Sequence, residues 1–390
     1  MKTLIKRSYC IIFKNTMKCL IIPDKFKGSL TAAEVSKAIV RGLQLTQISP
    51  LETIVIPASD GGDGFLDLVQ LFKKVRRKDI LSLNALQQPI ESYYLIDESS
   101  KTAYVELANT VGLAHISSEL LDMEGSSTKG VGIQILDALT SGAKYIYIGL
   151  GGSASTDIGF GLLAGLGFIF KDHSNCVTSY NTSNLSNIYS ISASNYLKNL
   201  IENCTFYAVN DVSNPLFGPH GAAHIFGPQK GASLDSITKI DKAINDFTLS
   251  FNFPYLNDFN IAGGGAAGGT AFGLMAFLNA SFIKGFDFLN EICSLDALLV
   301  NSEFDLIISG EGRFDQSSLD GKLLNGILKL SQSHSIPLLL ICGQCDKETI
   351  SCVASSAICI SLFDANTTLE SCMSNPSALI EYKIFNFFNK

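Results

Sequence analysis

The chain has 390 residues, of which 46% are apolar and 17% are charged. This length is enough for about two to three domains, and the apolar content excludes an intrinsically disordered chain. The net charge of −7 argues against sequence-independent nucleic-acid binding, which needs a basic face. No apolar run reaches the length of a membrane-spanning helix. We therefore expect a cytoplasmic protein without nucleic-acid or membrane partners.

The first 16 residues form a separate basic segment, because no acidic residue precedes Asp24. This segment is either a short targeting sequence or an extension upstream of a start at Met17. The second interpretation is favoured because Lys14 and Asn15 interrupt the apolar stretch that a secretory signal needs.

Strand and helix patterns alternate after this segment. Residues 19–22 form an apolar run typical of a buried strand, and Thr31 with Glu34 predicts a capping box at the start of a helix. A second strand over 53–56 and a helix over 65–72 follow. This order is typical of a parallel α/β sheet.

The middle of the chain reads differently. We predict a hairpin over 95–107, a helix after Thr128 and a strand over 145–148. Residues 173–200 are rich in Ser and Asn and are predicted to be a long, irregular surface excursion.

The α/β alternation returns near the C-terminus, with strands predicted over 304–308, 338–342 and 357–360 and a closing helix over 379–388. Together the two ends of the chain predict one doubly wound domain with five strands. The predicted division is a domain made of 17–75 and 296–390, with a second α/β domain over 76–295.

Charged residues stand on two glycine-containing segments near the N-terminus. The segment 23–30 carries two lysines and a serine before a helix, which suits either a bound anion or a solvated helix cap. In 59–64, Asp60 and Asp63 stand among three glycines. These carboxylates suit Mg²⁺ or proton transfer, and the alternative is an acidic turn.

Three more glycine-rich segments follow later in the chain. Residues 149–154 match G-x-G-x-x-A after a strand, but the hydroxyl residues around it favour a phosphate or substrate loop over a dinucleotide site. The glycine run in 262–270 indicates either close approach to a ligand or a hinge. Residues 310–316 combine two carboxylates with Arg313, which suits binding of a carboxylate or phosphate.

Cysteine and histidine patterns do not indicate a metal site. Cys342 and Cys345 form a CxxC without a second CxxC or a nearby His, so reduced core residues are favoured over a redox or zinc role. His220 and His224 stand four residues apart, but the Pro-Gly context of His220 favours loop and core positions.

Taken together, six segments resemble the type I glycerate kinase family, and the resemblance covers nearly the whole chain. These segments are PDKFKGSLTA (23–32), DGGDG (60–64), GLGGSASTD (149–157), DVSNPLFGPHGAA (211–223), FGPQKGA (226–232) and GEGRFDQSSLDGK (310–322). The chain departs from the family at Lys25, where the family usually has Ser, and at Asp63, where it usually has Glu. Several long motifs in the same order are more specific than any single glycine loop.

The resemblance implies phosphorylation of D-glycerate from ATP with Mg²⁺. It also implies a flavodoxin-like domain with a second domain inserted, and an active site in the cleft between the two. Phosphorylation at the 2-hydroxyl is favoured over the 3-hydroxyl, and a homodimer is left open.

Phosphoryl transfer needs a proton acceptor and cations that neutralise charge. Asp60 and Asp315 are therefore predicted as base and Mg²⁺ ligand, in either order, and Arg313 or Lys27 is predicted to hold the glycerate carboxylate. The residues predicted to bind the substrate are Lys25, Ser29, Asn214, Glu311 and Arg313. The residues predicted to bind the nucleotide are Gly151, Gly152, Ser153, Lys230, Gly264, Gly265 and Lys322. The residues predicted to hold the metal are Asp63, Asp157 and Asp211.

Two other classes of function are compatible with these residues. One is a nucleotide-dependent oxidoreductase, suggested by the G-x-G-x-x-A pattern. The other is a non-catalytic sensor of an organic acid that uses the same fold.

Overall fold

The computed structural model of the chain describes residues 3–6, 9–12, 16–256, 258–259, 261–319, 322–365 and 367–389. Its strands are β1 (Thr3–Lys6), β2 (Tyr9–Ile12), β3 (Met17–Pro23), β4 (Leu51–Val55), β5 (Arg76–Leu83), β6 (Pro89–Asp97), β7 (Thr102–Glu106), β8 (Tyr145–Gly149), β9 (Ile169–Lys171), β10 (Ser190–Ser192), β11 (Thr205–Val209), β12 (Ser281–Ile283), β13 (Leu306–Phe314), β14 (Leu338–Cys345) and β15 (Ile358–Ser361).

The α-helices alternate with these strands. They are α1 (Ala32–Gln44), α2 (Phe65–Phe72), α3 (Ala108–Val111), α4 (Lys129–Thr140), α5 (Phe160–Leu166), α6 (Asn195–Glu202), α7 (Ala222–Phe226), α8 (Leu234–Ser250), α9 (Ala266–Leu278), α10 (Gly285–Cys293), α11 (Leu295–Asn301), α12 (Gln316–Leu319), α13 (Leu323–Ser333), α14 (Lys347–Val353), α15 (Leu369–Ser374) and α16 (Pro376–Phe388).

The chain divides into two compact units. The split unit comprises Met1–Asp60 with Lys284–Lys390, and the inserted unit comprises Gly61–Ile283. The sequence patterns placed these changes after residues 75 and 295. The structural boundaries come earlier because α2 packs against β6 and β7 of the inserted unit, while α10 packs against α13 of the split unit.

The split unit contains a sheet of five parallel strands in the order β15-β14-β13-β3-β4. Numbered within the unit and read from the β4 edge, this is the flavodoxin-like order 2-1-3-4-5. The predicted fold class, with both chain ends in one doubly wound sheet, is confirmed. The strand order reverses between β3 and β13, so the carboxyl ends of these two strands flank the point where such sheets bind ligands.

Strand β3 is an interior strand of this sheet, between β13 and β4, and its apolar side chains are fully buried. Cys19, Leu20, Ile21 and Ile22 have 0% exposed surface, as expected for a parallel strand covered on both faces. The helix that follows, α1, begins with the predicted capping box, in which Thr31 and Glu34 bond to each other's backbone N–H.

Strand β13 is longer than predicted. The sequence placed a strand over 304–308 and a loop over 310–316, but β13 continues to Phe314 because Arg313 and Phe314 pair with Gln344 and Cys345 of β14. Glu311 and Arg313 are therefore strand residues, whose backbone is held by neighbouring strands.

The inserted unit contains a mixed sheet of six strands in the order β12-β11-β8-β7-β6-β5. Strands β5, β6 and β7 pair antiparallel, whereas β7, β8, β11 and β12 pair parallel. The predicted hairpin is therefore the β6–β7 pair.

The segment 173–200 is more regular than predicted. It contains β10, which pairs antiparallel with β9, and most of α6. Leu185 and Ile188 join the hydrophobic core of the inserted unit, and these apolar anchors fix a segment whose composition is otherwise polar. Among the helices of the described residues, none has both the length and the apolar character needed to cross a membrane.

Candidate active site

The segment that follows β3 in the split unit is a tight, anchored turn. The backbone N–H of Asp24 donates to the carbonyl oxygen of Gly310 at 2.8 Å, and Phe26 and Leu30 exchange two backbone hydrogen bonds at 2.8 and 3.0 Å. Phe26 is 3% exposed and packs in the core of this unit. The turn therefore presents its charged side chains from a fixed backbone.

Three carboxylates from three segments lie within electrostatic range of one another, and we call them the carboxylate cluster. Asp24 follows β3, Asp60 follows β4, and Glu311 lies in β13. Burial raises the pKa of Asp24 well above its usual range, and the charges of Asp60 and Glu311 act in the same direction. Asp24 keeps some exposed surface, but its carboxyl group is enclosed by protein.

Glu311 is the member of the carboxylate cluster that has a buried oxygen atom without a hydrogen-bond partner among the described residues. Burial raises the pKa of its carboxyl to about 7; Ser318 and Lys322 act against this effect, and Asp315 and Asp60 add to it. Its Oε1 atom is buried and has no hydrogen-bond partner among the described residues. Because a buried acceptor without a partner costs free energy, this oxygen is suited to a cation or a donor from a ligand.

Lys25 links the two other members. Its backbone N–H donates to Asp24 Oδ1 at 2.7 Å, and its ammonium lies 3.1 Å from Asp60 Oδ1. Predicted as a substrate ligand, Lys25 is thus placed as the counter-ion of a candidate catalytic carboxylate.

Arg313, Asp315 and Lys322 form a polar patch at the end of β13. Arg313 Nε lies 3.4 Å from Asp315 Oδ2, and Lys322 Nζ donates to Ser317 Oγ at 2.7 Å. Burial alone would raise the pKa of Asp315, but hydrogen bonds from Ser317 and the nearby cations hold it below its usual value. Asp315 is thus an ionised turn residue with its Oδ1 engaged locally.

Lys27 and Ser29 lie on the turn after β3, and this turn packs against β13. A Cβ atom added at Gly312 would lie 3.2 Å from the backbone nitrogen of Lys27. Lys27 itself is exposed, whereas the Ser29 hydroxyl donates to the Phe26 carbonyl at 3.2 Å. In this geometry Ser29 supports the turn.

In the inserted unit, the segment after β8 lies against the segment that precedes α2. The backbone N–H of Gly151 donates to the Gly61 carbonyl at 2.9 Å. A Cβ atom at Gly152 would lie 3.3 Å from Asp63 Oδ1, which brings together two residues predicted for nucleotide and metal binding.

The hydroxyl groups of the segment 153–156 turn into the protein. Ser153 is 4% exposed, and its Oγ lies 3.0 Å from Ser155 Oγ. This burial argues against phosphate contact through the Ser153 side chain. The dinucleotide fingerprint also lacks its structural context, because α5 begins only at Phe160 and not directly after the glycines.

Asp157 links the starts of two helices. Its carboxylate accepts hydrogen bonds from Thr128 N at 2.6 Å and Thr128 Oγ1 at 2.9 Å, before α4, and from Gly161 N at 3.1 Å, in α5. Burial raises the pKa of Asp157, and these bonds act in the opposite direction. Because it is 3% exposed and its oxygens are occupied, we assign Asp157 a structural role instead of the predicted metal role.

Lys230 is also enclosed. It is 1% exposed, and its ammonium donates to the Ser155 carbonyl and lies 3.5 Å from Thr156 Oγ1. Burial lowers the pKa of Lys230 to about 7, and the charge of Asp157 acts against this effect. Lys230 thus supports the segment after β8 through Ser155 and Thr156. Because its ammonium is buried, this role replaces the predicted direct contact with phosphate.

The remaining predicted residues lie where two segments of the inserted unit meet. The Gly265 N–H donates to the Asn214 carbonyl at 3.0 Å, and the Asn214 side chain donates to the His220 carbonyl at 3.0 Å. Asp211 follows β11, and Gly264 has Leu216 beside it. The close approach that the glycines allow is therefore, in this structure, an approach to protein backbone.

Glu106 and Asp24 are two acids with a raised pKa that sequence reasoning did not select. Glu106, which ends β7, accepts a hydrogen bond from Leu66 N at 2.9 Å. Burial raises its pKa to about 7. The available signal was a single Glu that closes an otherwise apolar strand. For Asp24, the signal was its place directly after the strand-ending Pro23.

Comparison with known proteins agrees with this arrangement. A model of the "Glycerate kinase family" matches residues 19–389. A glycerate kinase of Neisseria meningitidis serogroup B (strain MC58) is 33% identical over 95% of this chain and 97% of that protein. A glycerate 2-kinase of Escherichia coli (strain K12) is 32% identical over 84% and 85%.

A solved structure supports the same relationship. A crystal structure assigned to glycerate kinase 2 of Salmonella typhimurium LT2 superposes with a TM-score of 0.73 at 28% identity, and covers 96% of this chain and 98% of that one. The family match spans almost the entire chain, including every segment of the carboxylate cluster. The chain therefore belongs to the glycerate kinase family and is a phosphotransferase.

Proposed function

We propose that this chain transfers the γ-phosphoryl group of ATP to the 2-hydroxyl of D-glycerate. Family membership supports the reaction, and the 32% identity to a protein named glycerate 2-kinase supports the 2-hydroxyl as acceptor. The observation that carries the mechanism is the carboxylate cluster with Lys25, at the carboxyl ends of β3 and β13 where the strand order reverses.

Asp60 is the proposed proton acceptor. The attacking hydroxyl must lose its proton, and a carboxylate within hydrogen-bond reach accelerates this step. The Asp60 side chain is 34% exposed and its Oδ1 is held by Lys25, so it is oriented and still reachable by a substrate. Asp315, the other predicted base, is less suited because Ser317 occupies its Oδ1.

Asp24 and Glu311 are the proposed carboxylates for Mg²⁺. They offer only oxygen atoms, which Mg²⁺ prefers, and the buried Oε1 of Glu311 lacks a hydrogen-bond partner in the described part of the chain. No group of three or more His, Cys, Asp or Glu among the described residues could hold a metal ion. Mg²⁺ in enzymes is often held by one or two carboxylates together with nucleotide phosphates, so the proposal needs no larger set of protein ligands. When bound, Mg²⁺ would neutralise charge that develops on those phosphates.

Cationic groups beside the carboxylate cluster have two proposed tasks. Arg313, whose side chain is 73% exposed, can clamp the glycerate carboxylate in a bidentate manner. Lys322 precedes the first turn of α13, where an ammonium and helix N–H groups favour a phosphate. For the inserted unit, Gly151, Gly152, Gly264 and Gly265 stay predicted nucleotide residues and Asp63 and Asp211 predicted metal residues.

The oxidoreductase alternative is disfavoured by the lack of a helix directly after the G-x-G-x-x-A pattern. A non-catalytic sensor would have the same fold as the proposed kinase, so only a measurement of turnover distinguishes the two. A homodimer and the cytoplasmic location stay predictions.

A single assay tests the proposal. The full chain is incubated with ATP, Mg²⁺ and D-glycerate, ADP release is followed, and the product is identified by phosphorus NMR. We expect 2-phosphoglycerate, with Asp60→Asn slower by a factor of about 10² to 10⁴ and L-glycerate as the control substrate. Release of ADP with 3-phosphoglycerate as product would correct the position of transfer, and no glycerate-dependent ADP would favour the sensor.

A further inference from the structure

Lys25 is placed between two carboxylates by its own backbone. Its N–H bonds to Asp24 Oδ1 at 2.7 Å and its ammonium lies 3.1 Å from Asp60 Oδ1. The neighbouring backbone is fixed on both sides, by the Asp24 bond to Gly310 and by the buried ring of Phe26. The Lys25 side chain is therefore attached to a fixed backbone, and its ammonium is also held by Asp60.

The Lys25–Asp60 pair is also partly withdrawn from water. The exposed fractions are 19% for the Lys25 side chain and 34% for that of Asp60. By contrast, the Lys242–Asp246 pair on α8 has exposed fractions of 73% and 57%. Because screening weakens as water is excluded, the charge of Lys25 acts more strongly on its partner than the charges of such surface pairs.

This charge matters because the carboxylate cluster concentrates acidic groups. Beside the larger effect of burial, the negative charge of Asp60 raises the pKa of both Asp24 and Glu311, and the positive charge of Lys25 lowers that of Asp24. A cluster with an uncompensated Asp60 would attract any divalent cation present. With an ammonium bonded to Asp60, part of that attraction is already offset.

We propose that Lys25 is a positioning residue that acts through Asp60. Its ammonium orients the Asp60 carboxylate and offsets its charge, so that a divalent cation binds weakly until nucleotide phosphates supply the remaining ligands. This inference rests on the proposed function and names the group that makes metal binding depend on the nucleotide.

The first test measures metal binding without turnover. Mn²⁺, as a probe of the Mg²⁺ site, is titrated into the full chain without nucleotide, and bound Mn²⁺ is read from water proton relaxation. We expect Lys25→Met to bind Mn²⁺ on the order of tenfold more tightly, equivalent to about 1.4 kcal/mol, and Lys25→Arg to match the parent. The matched control is Lys37→Met, which removes an exposed lysine from α1 of the same unit.

The second test asks whether the effect passes through Asp60. In an Asp60→Asn background, Lys25→Met is expected to change Mn²⁺ affinity less than about twofold, since coupled residues are non-additive. In turnover of glycerate, Lys25→Met lowers kcat and Lys25→Arg restores most of it.

Two results would overturn the inference: unchanged Mn²⁺ affinity in Lys25→Met, or the same tightening with and without Asp60. Circular dichroism checks the fold of each variant, and Lys25→Gln replaces the methionine variant if that one does not fold. Glycerate-dependent ADP release by the parent reports separately on the proposed function, so failure of one is distinguishable from failure of the other.

Discussion

Asp157 and Glu311 are both recessed carboxylates, yet their oxygens meet opposite surroundings. Asp157 accepts bonds from the backbone and hydroxyl of Thr128 and from two glycine N–H groups. Glu311 keeps a buried Oε1 without a hydrogen-bond partner among the described residues. A satisfied carboxylate stabilises the fold, whereas an unsatisfied one costs free energy that a ligand can recover. The contacts of each residue, more than its type, separate structure from function here.

Glu106 gives a pH-dependent stability that can be measured directly. Burial raises its pKa from 4.5 to about 7, so between these values the folded chain keeps a proton that the unfolded chain loses. The penalty is absent below pH 4.5, grows as the pH rises and levels off above about 7. Glu106→Gln removes the titration while its amide oxygen can still accept from Leu66.

We therefore expect the stability of Glu106→Gln relative to the parent to increase from pH 5 to pH 8, by at most about 3 kcal/mol. Urea unfolding at both pH values gives the difference. Other titrating groups cancel because both proteins contain them. The same difference at pH 5 and pH 8 would mean that Glu106 ionises in the folded chain as it does in the unfolded one.

Arg313 is expected to affect substrate binding and not the fold. Its pair with Asp315 is mostly exposed, at 3.4 Å, and such pairs contribute about 1 kcal/mol or less. If Arg313 binds the glycerate carboxylate, Arg313→Ala loses a charge-assisted contact and raises KM for glycerate roughly tenfold or more, with little change in KM for ATP. Steady-state kinetics with each substrate varied gives both values.

The control is Arg77→Ala, which removes an arginine whose side chain is 55% exposed and whose Nε lies 2.7 Å from Asp79. It should leave both KM values unchanged. A larger rise in KM for ATP than for glycerate in Arg313→Ala would assign this arginine to the nucleotide.

Two glycines in connecting segments of the inserted unit allow two effects of a side chain on stability to be measured separately. One effect is the strain of a positive φ, and the other is a clash with neighbouring atoms. Gly61 and Gly142 have nearly the same positive φ, +93° and +91°. A Cβ atom at Gly61 would lie 2.4 Å from the Val209 carbonyl oxygen, whereas nothing lies within 4 Å of one at Gly142. The segment before α2 therefore requires glycine for space as well as for conformation.

We expect Gly142→Ala to lower the free energy of unfolding by about 1 to 2 kcal/mol, the cost of a left-handed alanine. Gly61→Ala should cost about 1 to 3 kcal/mol more, because the end of β11 must shift. Urea unfolding of both variants measures the difference. Equal losses would show that the Val209 carbonyl moves without cost.

Some elements could be predicted from the sequence because their local signals agree with their surroundings. The strand run over 19–22 is apolar and ends at a proline, and the capping box of α1 is complete within four residues. The end of β13 could not be predicted, because Gly310, Glu311 and Gly312 are poor strand formers. Only pairing with β14 extends the strand through them.

At the scale of the whole molecule, the alternation at both chain ends was enough to predict one five-stranded sheet. Strand order could not be derived from periodicity, since it depends on which buried faces meet. The acidic segments around Asp60 and Glu311 were predicted to bind a ligand because each comes after an apolar, strand-like run, and ligand binding there stays a prediction. The inward orientation of the hydroxyl groups near Ser153 could not be predicted from the sequence, because it depends on the buried ammonium of Lys230 and on tertiary packing.

The inserted unit has the features of an independently folding domain. Residues 61–283 contain every strand of the six-stranded sheet and a hydrophobic core of their own. Because the energy of folding comes mainly from such a core, we expect this fragment to show far-ultraviolet circular dichroism typical of α/β proteins and a cooperative urea transition.

The matched control is a fragment of 61–270, which lacks β12 and most of α9 and leaves Phe272 and Phe277 out of the core. This fragment should unfold without a cooperative transition. A disordered spectrum for 61–283 would mean that the inserted unit depends on the split unit for its stability, and an equally cooperative 61–270 would remove the C-terminal part of α9 from the essential core.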